Sequence, residues 1–243
     1  MPEMLEVAIA AAREAGARQR EGLRQPIEVL EVRRHDIKLA MDVACEDAIR
    51  RRIAEAFPDH AVLGEEAGGA VSPDAPTWII DPLDGTVNYA RRLPHFCVSI
   101  AAWQGEHALL GVVYDPVREE LFHATADGGA FLNGAPIRVS AIAALELAML
   151  AVGFSKTTAA GGRALDDVRA LRQHVQKFRL LGAAALDLAY VAAGRLDGFI
   201  EYGLRTWDIA AGALLVREAG GAAALTPAGA HRWDVRAHNG RLW

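Results

Sequence analysis

The stretch from Gly64 to Asn88 opens on Gly64-Glu65-Glu66 and closes on Asp81-Pro82-Leu83-Asp84-Gly85-Thr86-Val87-Asn88. Each acidic end follows a short apolar run, Ala61-Val62-Leu63 before the first and Trp78-Ile79-Ile80 before the second. Short apolar runs bounded by turn residues read as buried strands. If the two strands lie side by side, Glu65, Asp81 and Asp84 leave the sheet at one edge. Carboxylates brought together repel one another unless something positive lies between them, and hard oxygen ligands suit Mg²⁺ or Mn²⁺. A metal site is the leading reading. Taken singly, the pieces fit structural roles: Asp-Gly is a turn signal, Asp-Pro opens turns, and Glu-Glu at a strand end is ordinarily solvated. In combination, two acids followed by Gly85-Thr86 set backbone N–H groups beside the carboxylates, as where a phosphate is cradled at a helix start.

A chain of 243 residues, 52% of them hydrophobic, can bury a substantial core as one domain or two closely joined halves. The division expected is a metal-binding half with an antiparallel sheet to about residue 140, then an α/β half. A net charge of −5 and a pI near 5.9 give no electrostatic reason to expect nucleic acid as a partner. Arg50-Arg51-Arg52 reads as a solvated helix face, whereas Arg91-Arg92, just after the acidic motif, could offset substrate charge. The only cysteines, Cys45 and Cys97, lack CxxC spacing, which points to a reducing compartment and away from disulfides or thiolate zinc. The histidines show no HExxH. With no apolar run long enough to span a bilayer and no signal-like N-terminus, a soluble cytoplasmic protein without a membrane partner is expected.

Helical periodicity predicts an opening helix from Glu3 to about Leu23 and a second from Asp42 to Phe57, its buried stripe being Cys45, Ile49, Ile53 and Phe57. Asp42 lies on that stripe; capping the helix is its ordinary role, and orienting a catalytic hydroxyl is the alternative. Ile27 to Arg33 alternates as a half-exposed strand. From Phe96 to Val139 the pattern is a meander, with strands at Cys97–Trp103, Ala108–Tyr114 and Glu120–Ala124 and a hairpin at Asn133-Gly134. The Ala-rich second half predicts strands at Leu147–Val152, Phe178–Leu181 and Asp197–Glu201. Its helices are expected at Leu165–Gln176, Ala184–Ala193 and Trp207–Ala219, the last ended by Gly220-Gly221. The fold class is α+β.

Asp81-Pro82-Leu83-Asp84-Gly85-Thr86, the upstream Gly64-Glu65-Glu66 and the distant Trp207-Asp208-Ile209-Ala210-Ala211-Gly212 together resemble the inositol monophosphatase family of metal-dependent phosphomonoesterases. Asp127-Gly128-Gly129-Ala130-Phe131-Leu132-Asn133-Gly134 and Glu218-Ala219-Gly220-Gly221 extend the likeness, in order, over roughly the whole chain. The resemblance implies a layered α-β-α-β-α sandwich and two or three Mg²⁺ ions, with Mn²⁺ as a substitute. It implies that Glu65, Asp81 and the carbonyl of Leu83 hold one ion, and that Asp81, Asp84 and Asp208 hold a second. Glu66 and Thr86 match residues that position the attacking water, and Asp42 matches the acid that hydrogen-bonds the threonine. Around the substrate it places Asp84, Gly85, Thr86, Ala183, Glu201 and Asp208, with the Gly85 and Thr86 N–H groups on phosphate oxygens. Trp207 reads as a core anchor rather than a substrate platform.

The run Asp36-Ile37-Lys38-Leu39-Ala40-Met41-Asp42 departs from the family's Asp-x-Val-Thr-x-x-Asp: Leu39 replaces a hydroxyl and Lys38 introduces a cation. Arg91 stands where a histidine is frequent, and Ala183 where Ser or Thr is usual. None of these removes a metal ligand; they bear on substrate choice, turnover and metal affinity. The function expected from the resemblance is Mg²⁺-dependent hydrolysis of a small phosphorylated polyol or sugar by a homodimer, inositol monophosphate being the default substrate and Li⁺ an inhibitor. Fructose bisphosphatase, nucleoside bisphosphate phosphatase and histidinol-phosphatase activities share the same metal core. A non-catalytic binding protein that keeps the pocket is the alternative from another class.

Overall fold

The computed structural model describes residues 1–33, 36–154 and 158–242. The first half runs α1 (Pro2–Gly22), a β1 (Val29–Arg33) and β2 (Asp36–Leu39) hairpin, α2 (Ala40–Ala56), β3 (Ala61–Gly64), β4 (Gly68–Gly69) and β5 (Thr77–Asp84). It continues through α3 (Thr86–Ala90), β6 (Cys97–Gln104), β7 (His107–Asp115), β8 (Glu120–Thr125), β9 (Gly129–Leu132) and β10 (Ala135–Pro136). The second half contains β11 (Met149–Val152), α4 (Thr158–Leu171), β12 (Lys177–Arg179), α5 (Ala184–Ala192), β13 (Gly198–Arg205), α6 (Thr206–Glu218), β14 (Ala222–Gly229) and β15 (Arg232–His238).

Two sheets carry the architecture. Eight strands lie in the order β10-β9-β8-β7-β6-β5-β3-β4, and five in the order β12-β11-β13-β15-β14. On the outer face of the larger sheet, Ala8, Ala11, Ala12 and Ala15 of α1 and Cys45, Ile49 and Ile53 of α2 pack against Trp78, Ile80, Ile100 and Val112. Its inner face packs Ile79, Ala101 and Val113 against α5 and α6, whose other side meets Phe199, Val235 and Ala237 of the smaller sheet. Ala164 of α4 joins Val152, Ile200 and Tyr202 on the far face of that sheet. The layers are therefore α-β-α-β-α, the expected sandwich. Among the described residues no helix is long and apolar enough to cross a membrane. Cys45 and Cys97 are both free and buried.

Several elements differ from their sequence reading. The helix expected at Leu165–Gln176 spans Thr158–Leu171, so the helix-disfavouring pair Gly161-Gly162 lies inside it. The strand expected to end at Glu201 continues to Arg205. The β14 and β15 hairpin went unread: Ala222-Ala223-Ala224 lacks β-branched residues, and His231 at its turn adopts a φ of 53°. Arg51 and Arg52 are not a simple solvated face, since both pair with Glu14 of α1 and tie the two outer helices together.

The register of β5 against β6 positions the acidic motif. Asp81 pairs with Ser99 and Asp84 with Cys97, so β5 spends three steps where β6 spends two. Side chains alternate along a strand, and residues three apart would face opposite sides of the sheet. The extra residue restores Asp84 to the face of Asp81, as a β-bulge does. That face is the inner one, toward α5 and α6.

Close approach of α6 to the sheet depends on Gly111 of β7, where a Cβ would stand 2.8 Å from the Ala211 carbonyl oxygen and 2.9 Å from its Cα. Gly111→Ala is expected to lower stability by about 1–3 kcal/mol through overpacking. Gly161→Ala in α4, where the added methyl meets open space, should instead raise it by about 0.5–1 kcal/mol. Urea midpoints of the two variants check the contrast.

Candidate metal centre

β3 and β5 are parallel neighbours, with Gly64 opposite Ile80, and the Glu65 N–H donates to the Ile80 carbonyl at 3.2 Å. Glu65 and Asp81 thus follow directly on the last paired residues of the two strands, Gly64 and Ile80. The turn after β3 is held by Glu46 of α2, a buried carboxylate absent from the sequence reading. Its Oε2 accepts the Glu66 N–H at 2.8 Å, its Oε1 accepts the Ala67 N–H at 3.0 Å, and Arg50 Nε donates to Oε1 at 2.7 Å. A Cβ at Gly64 would lie 2.4 Å from Glu46 Oε1, so the Gly in Gly-Glu-Glu makes room for this acid. The available signal was spacing: Glu46 lies one helical turn beyond Asp42 on the same face.

Asp81 Oδ1 accepts the Leu83 N–H at 3.0 Å. Burial pushes the Asp81 carboxyl well above its ordinary range, and the fields of Glu65, Asp84 and Asp208 push it further. Asp84 is raised to about 7, chiefly by burial; the Ala185 N–H, 2.7 Å from Oδ2, opposes this, and the Ala184 N–H reaches Oδ1 at 3.2 Å. Both donors belong to the first turn of α5, whose N-terminus therefore supports Asp84. Asp208 stands in the first turn of α6 and accepts the Arg205 N–H at 2.7 Å. Capping and membership of the acidic group coexist there.

Thr86 Oγ1 lies 2.9 Å from the Leu83 carbonyl oxygen and 3.3 Å from Asp42 Oδ1. Its single proton serves one acceptor at a time. Asp42 is not the N-cap of α2 but its third residue; Leu39 is the cap, and its N–H donates to Asp42 Oδ2 at 2.6 Å. Burial raises Asp42 to about 7, with the fields of Glu66 and Glu65 adding to it. Gly85 has a φ of 89°, and a Cβ there would come within 2.9 Å of the His95 carbonyl oxygen, so this step in the motif requires glycine.

Glu65, Glu66, Asp81, Leu83, Asp84, Gly85, Thr86, Glu201 and Asp208 all line one cavity of about 860 Å³. Glu201 enters it from the smaller sheet, and its carboxyl is held well above the usual range by burial, then by Asp208, Asp187 and Asp84. Ala183 is not at the wall: it is buried, and Ala184 lines the cavity in its place. Trp207 is half-buried, packing against the core while lining the cavity. The arginine pair also differs from expectation, because Arg92 bonds the carbonyls of Leu23 and Gln25 and neither Arg91 nor Arg92 lines the cavity. The unexpected Lys38 pairs with Glu66 at the wall.

Among the described residues no three His, Cys, Asp or Glu side chains are grouped closely enough to hold an ion as they stand. The donor chemistry nevertheless fits a hard cation: all the clustered donors are oxygens, and the buried Asp81 carboxylate is opposed by three further acids. A divalent ion among them would remove the repulsion that raises Asp81.

The model of the inositol monophosphatase family matches residues 1–241. The protein named Nus factor SuhB of Escherichia coli is 45% identical over 225 residues, covering 91% of this chain and 84% of that protein. The crystal structure of the extragenic suppressor protein suhB from Bartonella henselae superposes with a TM-score of 0.91 at 36% identity, covering 98% of this chain and 94% of that one. Inositol monophosphatase from Anabaena gives a TM-score of 0.86 at 37% identity, with 99% and 92% covered. Fold and site thus define a metal-dependent phosphatase. The chain belongs to the inositol monophosphatase family.

Glu46→Ala removes the acceptor of two backbone N–H groups and the carboxylate partner of Arg50, which keeps the Gly68 carbonyl as an acceptor, and is expected to cost about 3 kcal/mol. Mg²⁺ should raise the melting temperature of the parent protein, because a ligand of the folded state stabilises it. The rise should shrink in Glu46→Ala. A full Mg²⁺ response in a destabilised Glu46→Ala would confine Glu46 to a role in stability.

Proposed function

We propose that this chain is a Mg²⁺-dependent phosphomonoesterase of small phosphorylated polyols or sugars, inositol monophosphate being the first ester to test. Glu65, Asp81 and the Leu83 carbonyl would hold one ion, and Asp81, Asp84 and Asp208 a second. Two or three Mg²⁺ would be bound, with Mn²⁺ able to substitute. When bound, the ions neutralise the phosphoryl oxygens and lower the pKa of the attacking water. The observation that carries the reading is the buried Asp81 carboxylate, opposed by Glu65, Asp84 and Asp208 at one cavity wall. Such an arrangement destabilises an empty site and rewards a cation.

The protein's own groups supply the rest. Thr86 Oγ1, 3.3 Å from Asp42 Oδ1, is placed to accept a proton from the attacking water as it passes its own to Asp42. Asp42, raised to about 7, suits an acceptor working near neutrality. Glu66, whose field reaches Asp42, would orient the same water, and Lys38 fixes the direction of its carboxylate. The Gly85 and Thr86 N–H groups would take phosphate oxygens at the left-handed turn that opens α3. Glu201, at the same cavity from the smaller sheet, would accept hydrogen bonds from substrate hydroxyls. A homodimer in the cytoplasm completes the proposal, and light scattering of the purified protein tests the first part.

Relatives that bear the name Nus factor SuhB favour a second reading, in which the fold acts by binding a macromolecular partner. One variant separates the two. Asp81→Asn, folded by circular dichroism, should lose more than about 100-fold in Mg²⁺-dependent phosphate release, beyond the range for outer-shell changes. Thr86→Ala should lose about 10²–10⁴-fold in kcat with a small change in KM. The assay measures phosphate release from inositol monophosphates, histidinol phosphate and fructose and adenosine bisphosphates, with and without Mg²⁺. Undiminished hydrolysis by Asp81→Asn would sink the bridging role. Absence of release from every ester by the Mg²⁺-loaded parent would favour the binding reading.

A further inference from the structure

β13 carries Glu201 into the cavity and runs on to Arg205, where the neighbouring strand places a second arginine directly opposite. Arg205 and Arg232 are register partners of the antiparallel pair β13 and β15, and both line the cavity that holds the acidic group. Like charges opposite one another on adjacent strands destabilise the pair unless an anion compensates. Among the described residues neither guanidinium has a carboxylate ion partner. The Arg205 guanidinium lies over the Trp207 ring, 5.7 Å from its centroid, and Arg232 Nη1 donates to the Gly203 carbonyl at 2.8 Å. The ring and the carbonyl orient the two planar forks without neutralising them, and each guanidinium offers five N–H donors.

The cavity is therefore polar in two senses. Its lining collects Asp81, Asp84 and Asp208 together with Arg205 and Arg232, and among the described residues neither arginine has an ion partner. A neutral polyol phosphate would satisfy the acids through bound metal and leave the arginines unpaired. We propose that Arg205 and Arg232 form a subsite for a second anionic group, so that the preferred substrate is a phosphate monoester that also carries a carboxylate or another phosphate. Bidentate Arg–oxyanion pairing supplies the recognition. This rests on the phosphatase reading of the cavity and narrows its substrate class.

The test compares kcat/KM of the full-length Mg²⁺-loaded protein on three esters: glycerol 3-phosphate, 3-phosphoglycerate and fructose 1,6-bisphosphate. At least one of the two doubly anionic esters should exceed glycerol 3-phosphate by tenfold or more, and which of them does so tells carboxylate from phosphate. Arg232→Gln and, separately, Arg205→Gln should reduce that preference to within threefold, mainly through KM, and the preference should fall as salt is raised. Arg232→Lys and Arg205→Lys serve where a Gln variant does not fold, since they keep the charge but lose the fork and should retain only part of the preference. Equal use of all three esters, or a preference that survives in both Gln variants, overturns the subsite. If none of the three is hydrolysed while inositol monophosphate is, the subsite is overturned and the phosphatase reading stands; if inositol monophosphate is not hydrolysed either, the phosphatase reading fails, and calorimetry then decides the subsite alone. In that case 3-phosphoglycerate should still bind tenfold tighter than glycerol 3-phosphate, and equal binding overturns it.

Discussion

One extra residue in β5 governs the geometry of the acidic group. Asp81 and Asp84 are three apart, and a regular strand would send one carboxylate to α1 and α2 and the other to α5 and α6. The register shift against Ser99 and Cys97 brings both to the inner face. Pro82 sits inside the shifted segment without an N–H to offer the ladder, and its carbonyl is taken by Gln19 Nε2 of α1 at 2.7 Å. The outer helix layer therefore grips the back of the motif whose front faces the cavity. Tyr89 completes the grip, its hydroxyl donating to the Gln19 carbonyl at 3.0 Å.

Concentrating carboxylates at that face opposes folding as long as they are charged. Burial raises Asp81, Asp84 and Glu201, with the fields of Glu65, Asp84 and Asp208 adding at Asp81 and that of Asp187 at Asp84. The surrounding layers offset this cost. α5 directs its first N–H groups at Asp84, and α6 ties Asp208 to the Arg205 backbone. Both helices are rich in fully buried Ala, Leu and Val, so each sheet packs tightly on the layer that carries these donors. The site is thus supported by the most apolar part of the molecule, where dipoles are fixed and field strengths are high.

What could be read from the sequence follows from where the signal lies along the chain. Glu65, Asp81, Asp84 and Thr86 stand at the ends of short apolar runs, and strand endings announce themselves locally. The meander and five of the six helices were legible from period and turn residues, and the five-layer sandwich followed from the family resemblance. Glu46 carried only the weak signal of its spacing from Asp42, because its partners Glu66 and Ala67 lie in a separate element. Arg232 was hidden for a different reason: the β14 and β15 hairpin is written in alanine, glycine and proline, and its pairing with β13 is contact at long range. Ala183, which the resemblance places near the substrate, has its side chain buried beside Gly85, and no local pattern tells its orientation from that of Ala184.

The departure at Leu39 shows how the site tolerates a lost hydroxyl. A Ser or Thr at the start of α2 would accept an N–H of the first turn. Leu39 cannot; its own N–H donates to Asp42 Oδ2, and the first helical N–H, that of Ala40, donates to the Glu28 carbonyl at 3.1 Å. In exchange, the Leu39 side chain is fully buried with Leu83, Tyr89 and Phe96. Leu83 is the residue whose carbonyl faces Thr86, so the apolar side chain beneath it steadies the segment between the two aspartates. Asp42 is left divided, with Oδ2 closing the helix and Oδ1 free to meet Thr86. A carboxylate anchored by one oxygen and facing Thr86 with the other is held in orientation by the fold itself. The backbone of Leu39 thus restrains Asp42 while its side chain packs beneath the segment between the two aspartates.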